Sequence, residues 1–198
     1  MIRRTLPAMG MTLSSVLFVS AGLAQAAPHL ESLADYGSVP AFSLTDHRGE
    51  PLTEDQLLGS VWVVDFIFTR CAGQCPRITQ QMAKVREAFR DDPHVRLVSV
   101  SVDPIHDTPA VLADYARYWT ASDTWLFVTG TSPAIRALVE TGFHLSIDTG
   151  GGPQEPILHS VRLVLVDGQA HIRGYYDGLD DPAVARLIHD VATLRKLP

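Results

Sequence analysis

The chain has 198 residues, with 16 Lys and Arg against 22 Asp and Glu and a net charge of −6 with histidine neutral. This length gives one ordinary domain, and an acidic balance without basic runs argues against a nucleic-acid partner. Cys71 and Cys75 are the two cysteines, too few for an all-thiolate, four-ligand zinc site.

Residues 1–26 read as an export signal. Arg3 and Arg4 form a positive n-region, Met11 to Leu23 is mostly apolar, and Ala24-Gln25-Ala26 has the small-x-small form of a cleavage site. The apolar run is shorter than the ~20 residues a membrane-spanning helix needs. An uncleaved N-terminal anchor is the alternative; no Cys follows the run to carry a lipid. Removing 1–26 leaves 172 residues at a net charge of −8, because two arginines and no acid are lost. The expected location is the periplasm, with a tether to the inner membrane if the anchor is kept. In that compartment a cysteine pair is oxidised unless something reduces it.

Residues 27–39 read as an irregular lead and 40–198 as one domain. Ala41 to Thr45 alternates apolar and polar as a strand, Asp46 to Glu50 is a turn, and Thr53 opens a capped helical turn. Val61 to Phe68 reads as a central strand, apolar on both faces. Pro76 to Phe89 reads as a helix with Ile78, Met82, Val85 and Phe89 on one stripe. Val95 to Val102 is a strand, followed by the loop Asp103-Pro104-Ile105-His106-Asp107-Thr108-Pro109. Asp107 or Thr108 caps the next helix, and Asp107 is read as a cap rather than a site residue. Trp125 to Thr129 is a third strand, Ser132 to Glu140 a helix, and 149–156 a Gly- and Pro-rich loop. Ser160 to Val166 and Ala170 to Tyr176 form a hairpin across Asp167-Gly168-Gln169, and a last helix runs from Asp180 to Arg195. This order describes an α/β, thioredoxin-like fold: a central mixed sheet with a parallel core and an antiparallel C-terminal hairpin, flanked by helices.

The topology gathers three pieces at one sheet edge. Cys71 and Cys75 follow strand 61–68, Asp103 follows strand 95–102, and His159 precedes the antiparallel strand 160–166. Ligand sites favour the carboxyl ends of strands in open α/β sheets. A thiol at a helix N-terminus is expected to have a lowered pKa. Two thiolates and an imidazole suit Cu(I), because thiolate is soft and imidazole also binds copper. The i, i+4 spacing of the cysteines lets them meet on one helical turn, so chelation and disulfide formation both remain open. The plainer readings are a structural disulfide for the cysteines, a backbone-bonded loop residue for His159 and turn chemistry for Asp103.

Phe68-Thr69-Arg70-Cys71 through Cys75-Pro76, Ser101-Val102-Asp103-Pro104 with Asp107-Thr108-Pro109, and His159-Ser160 together resemble the Sco/SenC family. The similarity runs from about Val39 to about Asp190. That family comprises thioredoxin-fold copper proteins linked to cytochrome c oxidase assembly. The resemblance implies Cys71, Cys75 and His159 as copper ligands and Asp103 as a residue that lines the site or aids partner docking. Two positions depart from the family pattern: Ala72 stands where Pro often follows the first Cys, and Leu158 where Asp often precedes the His.

The first functional expectation is a copper metallochaperone, not an enzyme, that delivers Cu(I) or Cu(II) to a copper-receiving protein such as an oxidase subunit. A thiol reductant is the implied second partner. The alternative is a thiol–disulfide oxidoreductase, in which an exposed, low-pKa Cys71 attacks and Cys75 resolves. A peroxidase is the third reading, and Arg70 is the one arginine placed to serve it.

Overall fold

The computed structural model describes residues 33–150 and 157–196. The expected export signal and most of the 149–156 loop lie outside the described residues. The strands are β1 (Ser43–Asp46), β2 (Pro51–Thr53), β3 (Val61–Ile67), β4 (Val95–Ser101), β5 (Trp125–Thr129), β6 (Ile147–Asp148), β7 (Leu158–His159), β8 (Arg162–Val166) and β9 (Ile172–Asp177). The helices are α1 (Cys75–Ala88), α2 (Pro109–Tyr118), α3 (Ser132–Ala137) and α4 (Asp181–Leu194).

One seven-stranded mixed sheet has the order β2-β1-β5-β4-β3-β8-β9. Its centre, β5-β4-β3, is parallel, and β8 and β9 add as an antiparallel hairpin. All seven residues of β3 are buried, as a central strand covered on both faces must be. Along β9 buried and partly buried residues alternate, the pattern of a strand with one packed face. On α1 the apolar stripe Ile78, Met82 and Val85 is buried, and the helix packs on β3 and against α4. On α4, Val184, Leu187, Val191 and Leu194 face inward, and Asp180 caps the helix by accepting from the Ala183 amide. Trp62 and Trp125 lie in the core, while Trp119 is partly buried against it.

The structure adds four things to the expected elements. β2 pairs antiparallel with β1, so the Asp46–Glu50 turn closes a hairpin. Three residues beginning with proline carry no strand signal of their own. Residues 36–39 form no element of their own but are held in place: Tyr36 and Val39 donate to the Ile172 and Ala170 carbonyls and Ser38 bridges His171, which ties the lead to the start of β9. The helix from Ser132 runs only to Ala137 and continues as one π-helical turn, Leu138–Gly142. β6 and β7 form a two-residue ribbon that holds His159 opposite Ile147.

Asp65 interrupts the apolar run of β3 and is fully buried. Burial pushes its carboxyl up to about 7, with Ser99 acting in the opposite sense. The folded state therefore keeps a proton that the unfolded chain releases near the ordinary carboxyl range. Stability must fall as pH rises from about 4 to 7, by a few kcal/mol in order of magnitude. Urea unfolding of Asp65→Asn should lose that slope and gain stability relative to wild type near pH 8. An unchanged slope would contradict the assignment.

Candidate copper site

The parallel register Val61↔Val95 through Ile67↔Ser101 sets the ends of β3 and β4 side by side. The cysteine loop and the Asp103–Thr108 loop therefore leave the sheet together. β8 runs antiparallel to β3, with Trp62 opposite Val166 and Val64 opposite Val164, so its start lies at the same edge. The convergence expected from the sequence is the one the backbone makes.

Two acids of the second loop hold the first. Asp107 is fully buried and accepts from the Thr69 amide (3.0 Å), the Thr69 hydroxyl (2.6 Å) and the Ser101 hydroxyl (2.6 Å). Its other contact is His106 Nδ1 at 2.8 Å. The cap of α2 is Thr108, which accepts from the Val111 amide. Of the two residues expected to cap this helix, Thr108 does so and Asp107 does not; the buried hydroxyls and amide next to Asp107 compete for it more strongly than a solvent-exposed helix end. Asp103 accepts from Arg70 Nε (3.0 Å) and Nη2 (2.7 Å) through one oxygen. Thr69 and Arg70, the two residues before Cys71, are each fastened to the β4 loop. Asp103, His106 and Asp107 also bring ligand-type atoms within 4.8 Å of one another. The hydrogen bonds just given already engage both carboxylates.

Cys75 is the first residue of α1, with Pro76 behind it in the first turn. Its sulfur lies 3.2 Å from His159 Nε2. His159 Nδ1 lies 3.0 Å from the Ser160 carbonyl oxygen. A carbonyl can only accept, so Nδ1 carries the hydrogen and the lone pair of Nε2 points at Cys75. The Phe68 ring packs edge-on against the imidazole, centroids 5.7 Å apart, and fixes its plane. Both cysteines are free and buried, Cys71 at 6% exposure and Cys75 at 0%. The Cys71 side chain is within hydrogen-bonding reach of Cys75.

Burial pushes the Cys75 thiol far above its ordinary value. The Cys71 contact and the Cys71 and Asp65 charges add to this, and a hydrogen bond from the Phe68 amide opposes it. The expectation of a thiol made acidic by the helix end is overturned at Cys75, because desolvation outweighs the dipole.

The structure sets His159 against the Cys75 sulfur, keeps Cys71 on the loop just before α1, and joins Asp103 to that loop through Arg70. Asp107, Thr69 and Ser101 were not expected as a clamp, and Asp65 was not singled out in its strand. Their available signals were two: a hydroxyl residue two positions before Cys71, and one carboxylate inside an apolar strand.

The SCO1/SenC family model matches residues 32–195, and the chain belongs to that family. A SCO1 protein homolog of Bacillus subtilis (strain 168) is 29% identical over 162 residues, covering 80% of this chain and 83% of that protein. A solved structure of BsSco, described as a member of the Sco family of cytochrome c oxidase assembly proteins with a disulfide switch, aligns with a TM-score of 0.73. It is 28% identical and covers 84% of this chain and 97% of its own. Copper-bound ScoI of Bradyrhizobium japonicum shares the fold at a TM-score of 0.67 and 22% identity, over 80% of this chain and 99% of that one.

Asp107→Ala strips the acceptor from one buried amide and two hydroxyls. It should lower the unfolding free energy by about 3 kcal/mol in urea titration. A loss below about 0.5 kcal/mol would show that the clamp contributes nothing to the fold.

Proposed function

We propose that the protein is a copper metallochaperone, whose reduced site takes up the ion through Cys71, Cys75 and His159 and passes it to a copper-receiving protein such as a respiratory oxidase subunit. The observation that carries this reading is the Cys75–His159 contact, with Nδ1 committed to a carbonyl and Nε2 directed at the sulfur. That is how a ligating histidine is oriented by its second nitrogen. The copper-bound ScoI and the BsSco description of oxidase assembly support the choice of cargo and recipient. Transfer by ligand exchange breaks no covalent bond of a substrate, so the residues act as carriers.

The contact between the two thiols and the disulfide switch of BsSco favour a second use of the same pair. Oxidation to a disulfide removes two ligands and two electrons, which a thiol partner must return before copper is bound again. A free-standing oxidoreductase fits less well, because both cysteines are buried and burial pushes the Cys75 thiol pKa up. Arg70 is paired with Asp103, which removes the arginine from the peroxidase reading. Export and a membrane tether remain part of the proposal. Among the described residues no helix is long and apolar enough to cross a membrane.

Anaerobic Cu(I) titration of the reduced protein against a competing chelator should give tight one-to-one binding. Cys71→Ser, Cys75→Ser and His159→Ala should each weaken it at least tenfold, and near-normal affinity in all three would refute the site. His159→Ala should keep thiol–disulfide exchange while losing copper. Because Cys75 holds its proton firmly, the metal must displace it. Apparent affinity should rise with pH by as much as about tenfold per unit for each proton displaced. An affinity independent of pH would contradict ligation by Cys75.

A further inference from the structure

Cys75 is held through its backbone as well as met at its sulfur. Thr79, four residues on in α1, is fully buried, and its hydroxyl donates to the Cys75 carbonyl at 2.9 Å. A threonine that bonds back to the carbonyl four residues earlier spends its single hydroxyl hydrogen there. The Tyr115 hydroxyl of α2 lies 3.1 Å from Thr79 Oγ1, so Tyr115 is the donor of that pair. The hydrogen bonds therefore run from Tyr115 to Thr79 to Cys75. The Tyr115 ring is itself fixed, edge-on to Phe127 of β5 with centroids 5.5 Å apart and tilted against Trp119 at 6.2 Å. The same helix reaches the other end of the cysteine segment. Asp107, next to the Thr108 cap of α2, accepts from the Thr69 amide and hydroxyl.

We propose that Tyr115 and Thr79 are positioning residues for the copper site: with Asp107 they make α2 a ruler that sets the span of the cysteine segment before an ion arrives. This rests on the copper reading above. From Thr108 to Tyr115 a helix spans about 10 Å, whereas the chain from Thr69 to Cys75 could stretch to ~20 Å. A rigid element thus fixes both ends of a segment that could otherwise open. Cys75 is the first residue of α1, so its place depends on how the first turn is wound, and the Thr79 hydroxyl bonds to that turn. Two sulfurs held in place beforehand spare the ion the entropy of ordering them. Tyr115 and Thr79 act through the Cys75 backbone, as outer partners that orient a ligand.

Competitive Cu(I) titration of four reduced variants separates this role from packing. Tyr115→Phe keeps the ring and Thr79→Val nearly keeps the shape, yet each should weaken Cu(I) affinity about tenfold. Thr79→Ser restores the hydroxyl and should bind as wild type does. In the Thr79→Val background, Tyr115→Phe should add less than about twofold, because both act through one hydroxyl. A change below about threefold in either single variant would overturn the role while leaving copper binding intact. So would a second full loss in the double variant, or a Thr79→Ser loss equal to that of Thr79→Val. Failure of the reduced wild type to take up Cu(I) would instead overturn the copper reading, and the inference with it. A further readout needs no copper. In the metal-free reduced protein the ¹³C shift of the Cys75 carbonyl should move upfield in Tyr115→Phe and in Thr79→Val, and a shift unmoved in either overturns the inference.

Discussion

Asp107 is the constraint on which the site depends. A fully buried carboxylate is costly unless donors surround it, and here the Thr69 amide, the Thr69 hydroxyl and the Ser101 hydroxyl do so. Two of those donors sit just before Cys71 and one at the end of β4. The cysteine loop therefore has one low-energy position relative to the strand beside it. Asp103 repeats the device one residue later along the cysteine loop, through Arg70. A pair of thiols in a loop would otherwise sample many arrangements, and a soft ion would bear the entropy of ordering them.

The second fixed point is His159. It comes from the far side of the sequence, yet the β6–β7 ribbon and the antiparallel entry of β8 bring it to Cys75. The imidazole is oriented by the Ser160 carbonyl and by the Phe68 ring, so the lone pair of Nε2 has one direction. Burial sets the chemistry of the sulfur it faces. Burial pushes its thiol pKa up, so on the proposed copper reading binding displaces a proton. The burial of both thiols favours the proposed carrier role over a thiol that must attack in solvent.

Much of this was legible in the sequence. The parallel core and C-terminal hairpin follow from the apolar run of β3 and the Asp167–Gln169 turn. Chain order alone places Cys71, Cys75, Asp103 and His159 at one edge. What was not legible has physical reasons. Short strands such as β2 and β6 are made by their partners, because two or three residues carry no period. Asp107 reads as a cap from its neighbours Thr108 and Pro109, and only the fold reveals Thr69 and Ser101 competing for it. The acidity of Cys75 was misjudged because helix position is visible in sequence whereas desolvation is not. Asp65 was passed over because a strand pattern averages across one exception.

The central claim is a site of two thiolates and one imidazole on this scaffold. Copper K-edge X-ray absorption of the Cu(I)-loaded, reduced protein tests it most directly. The account predicts a three-coordinate ion with two sulfur scatterers and one imidazole nitrogen, the nitrogen shell disappearing in His159→Ala. A shell of sulfur alone in the wild type, or a nitrogen shell that survives the substitution, would contradict it.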